Sequence, residues 1–430
     1  MVRTRRIFTF FLVVALALAG CASPGLQRAS TPEEVGFSSD GLRQLSGTLQ
    51  ARVDKGEIPG AVILIARDNK IAWFEAIGFR DREAKAPMTP DSMFRMASMT
   101  KPVTSIAVMM LAEEGKLKIT DPVSRYLPEF RNLKVGLEKK DGSGNVELIM
   151  ESAKREMTVE DLLRHTSGIT YGIFGKSKVK DMYNAAKPFD PAQSSAEFVT
   201  KIARLPLQYQ PGTTWDYSMS TDVLARIVEV VSGMQLDRFV LERILTPLRM
   251  VDTNYWVEAA KQGRVAEPQA ITATGKRPAF PGVTQRPNWI PGGHGLVSTA
   301  MDYARFCQML LNGGTLDGVR IVSRETVDAM RTDHLPPGTP ATNAALLQII
   351  APTPENGQGF GLGFLVRTSE GVAKIPGSIG DYGWAGVYGT YFWVDPKERM
   401  FAILMTQVPA VIGRPLRPIM RSHVYKALMN

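Results

Sequence analysis

Strand-like segments stand near both ends of this 430-residue chain and helical periodicity fills the middle, an order that few folds accommodate. Residues 61–66 and 71–77 are apolar, β-branched and aromatic, and Asp68-Asn69-Lys70 between them predicts an antiparallel hairpin. Residues 360–367, 386–394 and 400–406 are strand-like again, the last two joined by a turn at Asp395-Pro396-Lys397-Glu398. Residues 158–164, 195–204, 220–232 and 236–245 carry a helical spacing of apolar positions, separated by Pro- and Gly-rich loops. A helix capped by Ser38 or Ser39 and ending at Gly56, and another over 415–428, bracket the strands. The economical solution is an α+β fold: one antiparallel sheet built from both chain ends, flanked by helices, with a mostly helical domain inserted. The expected sheet domain takes in 32–120 and 290–430 and the helical domain 121–289, with 32–430 acting as one unit and the site in the crevice between its parts. Residues 139–151 read as a polar excursion. With 44% hydrophobic and 22% charged residues, disorder and a multi-span membrane protein are excluded.

The amino-terminal segment is set apart. Positively charged 1–6 precede an apolar run, 7–19, too short to span a bilayer and followed by small residues, which predicts an export signal over 1–20. Leu18-Ala19-Gly20-Cys21 resembles the bacterial lipobox, which would make Cys21 the lipidated first residue of the exported protein, with 21–31 as a tether. A plain signal peptide cut near Ala22 is the alternative. Acyl chains on Cys21 would hold the protein on a membrane, and Ala22, where an Asp could stand, favours the periplasmic face of an outer membrane. The formal charge of +9 counts Arg3, Arg5 and Arg6 of this segment, and no basic block with interleaved aromatics marks a nucleic-acid groove. Cys307 is the only other cysteine, so the exported domain has no internal disulfide, and its helical surroundings predict a buried, inert thiol.

Ser98-Met99-Thr100-Lys101-Pro102 heads a run with apolar Val103, Ile106, Ala107, Met110 and Leu111, one face of a buried helix. Pro102 fits only a first turn, so the helix begins at or just before Ser98. Residues three apart share a helix face, which sets the Lys101 amine beside the Ser98 hydroxyl at an N-terminus whose N–H groups favour negative charge. A serine nucleophile needs a base and oxyanion donors, and this geometry offers both. An N-cap serine beside a snorkelling lysine is the bland alternative. The pattern recurs at Ser177-Lys178-Val179-Lys180, in a Gly/Lys-rich loop with no buried helix behind it, and there it reads as a solvated charge run.

Two distant segments complete the set. Tyr217 precedes the apolar helix of Val223, Ile227 and Val230, a position that presents a phenol from a loop. Gly383, Gly386 and Gly389 begin an otherwise apolar strand, where glycines this dense point to close approach by another backbone or a ligand.

Together these residues resemble the serine β-lactamase and penicillin-binding-protein superfamily, most closely its class C-like branch of family VIII carboxylesterases. Ser98-x-x-Lys101 matches the first motif, and Tyr217-Ser218-Met219 stands where the family has Tyr-x-Asn or Tyr-x-Ser. Trp384-Ala385-Gly386 takes the place of Lys-Thr-Gly or the esterases' Trp-Gly-Gly. The resemblance runs from about Thr31 to the C-terminus and implies a β-lactamase/transpeptidase-like fold and acyl transfer through an acyl-enzyme. It implies Ser98 as nucleophile, Lys101 and Tyr217 moving its proton, and the N–H groups of Ser98 and Val387 as the oxyanion hole. Met219, Trp384, Ala385 and Gly386 would line the substrate site. With Asn replaced by Met219 and Lys by Trp384, both polar anchors for a β-lactam or D-Ala substrate are gone, which favours esters; packing alone would also account for a tryptophan.

The expected activity is that of a carboxylesterase on short-chain or aryl esters. Weak β-lactamase or DD-peptidase action on cell-wall-related amides, and a non-catalytic envelope binding protein, are the alternatives. No cofactor is expected, since His165, His294, His334 and His423 form no metal-ligand motif, and His165 reads as a structural hydrogen-bonding residue.

Overall fold

The computed structural model describes residues 26–140, 142–270, 275–342, 351–371 and 375–429; the export signal and Cys21 lie outside them. Its frame is a nine-stranded sheet drawn from both chain ends. Gly60–Arg67 pairs antiparallel with Lys70–Asp81 on one side and Met400–Met405 on the other, and Tyr391–Asp395, Tyr382–Ala385, Leu365–Arg367 and Gln358–Phe360 follow in that order. Asp68 and Asn69 both have positive φ, 51° and 62°, as a two-residue hairpin turn with the right twist demands. The pairing is antiparallel except at one edge, where Gln27–Arg28 runs parallel to Lys70 and Ile71. Two residues of the expected tether therefore belong to the sheet.

Both faces of the sheet are covered, which is why its central strands read as continuous apolar runs. Val62, Leu64, Ala66, Phe401, Ile403 and Met405 join the core that includes the Thr100–Glu113 and Ala300–Leu311 helices. The alternate residues Ala61, Ile63, Ile65, Met400, Ala402 and Leu404 face a second core under Ser39–Asp54 and Leu416–Lys426. The expected inserted helices form at Val159–Leu163, Ser195–Ala203, Ser220–Ser232 and Leu236–Val240, the first two opened by reciprocal caps at Thr158 and Ser194. Among the described residues no helix is long and apolar enough to cross a membrane. Cys307 is buried, and burial pushes its thiol well above the usual range.

Four expectations change. Residues 360–367 are not one strand: Gly363, at φ +100°, lies in a turn between Gln358–Phe360 and Leu365–Arg367, which pair as a hairpin. Residues 386–394 are likewise divided, 386–390 forming the turn between Tyr382–Ala385 and Tyr391–Asp395 with Gly389 at φ +97°. The polar stretch 139–151 falls within a hairpin of Lys134–Lys140 against Val146–Ser152. Finally, the second Ser-x-x-Lys is not a solvated run. Ser177 caps the Lys178–Ala185 helix, and Lys180 is buried, donating to the Phe174 carbonyl oxygen and lying 3.8 Å from the Asp216 carboxylate.

Candidate active site

Phe94–Arg95 pairs with Val297–Ser298 and delivers the chain into a tight turn, Ala97–Met99, that runs into the Thr100–Glu113 helix. Ser98 occupies the middle of that turn, slightly ahead of the regular helix. Ala97 before it adopts a left-handed φ of 47°, a conformation that costs a non-glycine residue about 1–2 kcal/mol. From Ser92 to Leu111 every residue is buried except Ser98, so the turn exposes one hydroxyl from an otherwise sealed segment.

Lys101 follows one turn later and is only 1% exposed. Its Nζ lies 3.4 Å from Ser98 Oγ, donates to the Tyr171 phenol oxygen at 3.1 Å and to the Gly293 carbonyl oxygen at 2.7 Å. That carbonyl is fixed by two glycines wedged between helices. A Cβ on Gly292 would lie 2.5 Å from the Thr221 carbonyl oxygen, and one on Gly293 2.6 Å from Asp222 Oδ2. Thr104 Oγ1 donates to the Gly292 carbonyl and the Gly293 N–H donates to Asp222 Oδ1, each at 2.8 Å.

Tyr217 comes from the loop entering the Ser220–Ser232 helix. The Lys101 ammonium stands 4.9 Å from its ring centroid, a cation–π contact, and its hydroxyl is buried with no hydrogen-bond partner among the described residues. Tyr171, Trp384, His165 and Phe174 surround that ring, with centroids 5.0 to 5.9 Å away. Burial, reinforced by the nearby Tyr217 and Asp222, pushes the Tyr171 phenol well above its ordinary 10, so it stays protonated. His165, at φ 58°, sets Nδ1 3.1 Å from Ser218 Oγ. Burial, helped by the Lys101 charge, holds its imidazole well below the usual 6.5, hence neutral.

The third segment closes the hollow. Trp384 is buried between Tyr217 and Phe360, 5.3 Å from each ring, and its Nε1 has no partner among the described residues. Ala385 and Met219 are also buried, so these positions form packed walls. A Cβ on Gly386 would overlap the Met96 carbonyl oxygen and Thr390 Oγ1, and Thr390 Oγ1 donates to that same carbonyl at 3.1 Å. The 386–390 turn is thus fastened to the residue two before Ser98, with Val387 exposed upon it. On the opposite rim Phe189 stacks on Tyr171 at 5.9 Å and meets His294 at 5.6 Å, beside a cleft of about 420 Å³ bounded by Gly172, Asn184 and Phe189.

Lys101 thus stands beside Ser98 as the helical spacing predicts, while Tyr217 beside Lys101 and Trp384 beside Tyr217 are contacts between remote segments that the spacing does not predict. Sequence reasoning missed Tyr171, Gly293 and Asp222. Adjacent glycines at 292 and 293 were the one available signal of close approach; a lone loop tyrosine carried none.

The Beta-lactamase family model matches residues 45–421. Protein Rv1367c of Mycobacterium tuberculosis is 37% identical over 362 residues, covering 82% of this chain and 87% of its own length. Esterase EstB of Burkholderia gladioli is 30% identical over 427 residues, covering 92% of this chain and 99% of the esterase. Among solved structures, EstCE1, a hydrolase with promiscuous acyltransferase activity, aligns with a TM-score of 0.70 at 24% identity over 90% of this chain and 98% of that one. Likeness at that level shows a shared fold.

Proposed function

The chain belongs to the β-lactamase family of serine hydrolases, and from that premise we propose that it is a carboxylesterase acting on short-chain or aryl esters through an acyl-enzyme. One observation carries the choice of ester over amide. The buried Trp384 ring, 5.3 Å from Tyr217, fills the position where the amide-cleaving pattern keeps a lysine for a substrate carboxylate.

In this reading Ser98 Oγ attacks the ester carbonyl carbon, and its proton passes to whichever of Lys101 and Tyr217 stands deprotonated in the reacting form, as free amine or as phenolate. The N–H groups of Ser98 and Val387 receive the developing oxyanion. Collapse expels the alcohol, which takes the proton back, and leaves the acyl group on Ser98. Water then repeats the sequence and releases the acid. Tyr171, kept as a neutral phenol, accepts from Lys101 and holds the amine near the serine. Met219 and Trp384 supply apolar walls without the polar groups that a β-lactam or peptide needs. The proposal includes export, lipid attachment at Cys21 and residence on the periplasmic face of an outer membrane, with 121–289 as the inserted helical part.

Initial rates on p-nitrophenyl butyrate, nitrocefin and a D-Ala-D-Ala peptide test the substrate class: hydrolysis of the ester alone is expected, and amide hydrolysis without ester activity overturns it. A fluorophosphonate probe is expected to label the wild type and to miss Ser98→Ala. Failure to label the wild type removes the hydrolase reading. Intact mass of the exported protein tests the anchor, which requires a chain beginning at an acylated Cys21.

A further inference from the structure

Arg417 is a buried cation without a counter-ion. It lies in the first turn of the Leu416–Lys426 helix, is 4% exposed, and forms no ion pair with any carboxylate among the described residues. The contrast with the next turn is sharp. Arg421 grips both oxygens of Asp381, at 2.8 and 3.0 Å, and donates to the Tyr391 hydroxyl at 2.6 Å, while Arg367 shares the same carboxylate at 2.9 Å. Arg421 and Arg367 each have a carboxylate in contact, the one they share at Asp381. Among the described residues Arg417 has the Tyr391 ring at 5.9 Å, an Nε with no partner, and a hydrogen bond from Nη2 to the Gly386 carbonyl oxygen at 3.2 Å. Burial pushes its guanidinium down to about 10, with Tyr391 and Tyr217 opposing the shift, so it keeps its charge at neutral pH.

Burying an unpaired charge is costly, and a merely structural contact to one carbonyl does not explain it. The carbonyl it holds is a particular one. Gly386 is joined to Val387 by a trans peptide, and in a planar trans peptide the C=O and N–H project from opposite edges. Fixing the oxygen fixes the direction of the Val387 N–H, and a cation on the oxygen draws electron density from the nitrogen and strengthens it as a donor. Gly386 N–H also donates to the Thr390 carbonyl oxygen at 2.8 Å, and Thr390 Oγ1 to Met96, so the whole turn is oriented against the Ser98 segment.

We propose that Arg417 is a positioning residue for ester hydrolysis: by clamping the Gly386 carbonyl it aims and polarises the peptide whose N–H, at Val387, receives the tetrahedral oxyanion. This rests on the ester-hydrolase reading above. Arg417 touches neither substrate nor reacting atoms, so its effect belongs to the transition state and not to substrate affinity.

The test compares the full-length wild type with Arg417→Met and Arg417→Lys on p-nitrophenyl butyrate, together with inhibition by phenylboronic acid, whose tetrahedral adduct with Ser98 carries the same oxyanion. Arg417→Met is expected to lower kcat about tenfold or more with KM within about threefold. The inhibition constant for phenylboronic acid should rise by the same factor. Arg417→Lys, which keeps the charge and a donor, should recover part of both. A purely structural arginine would instead lower Tm and leave the boronate constant unmoved. The inference is overturned if Arg417→Met keeps kcat near the wild-type value, or loses kcat while the boronate constant stays put. If Arg417→Met does not fold, Arg417→Lys decides alone, and unequal changes in kcat and the boronate constant overturn the inference. A wild type inert toward the ester and the fluorophosphonate probe sinks the hydrolase reading; an active wild type indifferent to Arg417 sinks only this step.

Discussion

Tyr171 accepts a hydrogen bond from Lys101 at 3.1 Å, while the Tyr217 hydroxyl, buried in the same hollow, has no partner among the described residues. In the proposed reaction the two phenols divide the work that one motif tyrosine suggests: Tyr171 holds the Lys101 amine, and Tyr217 is the oxygen assigned to meet the serine proton or the leaving alcohol. Tyr217→Phe should therefore lower kcat for p-nitrophenyl butyrate about a hundredfold or more, as loss of a proton-transfer group does. Tyr171→Phe removes one partner of a buried cation, worth roughly 1.5–3 kcal/mol, and should cost about tenfold to a hundredfold while shifting the pH–rate profile. Equal losses with unchanged profiles would show that the division of roles is mistaken.

Gly386 is where the third segment meets the first. Any side chain there overlaps the Met96 carbonyl oxygen and Thr390 Oγ1, so Gly386→Ala must push the 386–390 turn away from Ser98. Overpacking of this kind costs about 1–3 kcal/mol in stability. Activity should fall further than stability predicts, by about a hundredfold, because the proposed oxyanion donor, the Val387 N–H, moves with the turn. Thermal melts and acylation rates on the same samples check this, and a variant as active as wild type would detach the turn from catalysis.

What the sequence made legible follows from local periodicity. The 60–81 hairpin and the Thr100–Glu113 helix have unambiguous patterns, and Ser98 with Lys101 needs only one helical turn to meet. The division of 386–394 into turn and strand was not legible, because glycines amid apolar residues suit either a strand under close approach or a tight turn, and here they serve both: Gly386 is crowded and Gly389 takes φ +97°. Tyr171 was invisible because its partner lies 70 residues away in sequence and the meeting is made by tertiary packing. Lys180 was misread for the same reason: its carboxylate neighbour, Asp216, arrives from a remote loop.

His165 gives the stability a pH dependence. Its folded imidazole resists protonation because it is buried near Lys101, whereas the unfolded chain takes up a proton near 6.5. Above that pH both states are neutral and nothing is gained or lost. As pH falls below it, the unfolded state binds the extra proton and stability drops, by up to about 1.4 kcal/mol per pH unit. His294 and His423 are displaced in the same direction, and Asp302, raised to about 6 by burial, in the other. The comparison that isolates His165 is therefore between wild type and His165→Gln, in urea at pH 7.5, 6 and 5. The gap between their unfolding free energies should change steadily in the variant's favour as pH falls. A constant gap would remove His165 as the cause.

The second Ser-x-x-Lys provides an internal control for the first. Ser177 Oγ accepts from the Lys180 N–H at 3.0 Å and donates to Gln208 Oε1 at 2.6 Å, so its hydroxyl is committed to capping a helix. Lys180 is committed to the Phe174 carbonyl and to Asp216, which also accepts from Thr342 Oγ1 at 2.7 Å. Ser177→Ala should cost about 1 kcal/mol of stability, the value of a lost cap. Lys180→Met should lower stability by removing a buried cation 3.8 Å from the Asp216 carboxylate, read as a lower Tm. Neither should change fluorophosphonate labelling at Ser98 per folded molecule. Loss of labelling in folded Ser177→Ala would mean that the wrong serine has been assigned to the chemistry, since the same sequence pattern would then be acting where the geometry gives it only a structural task.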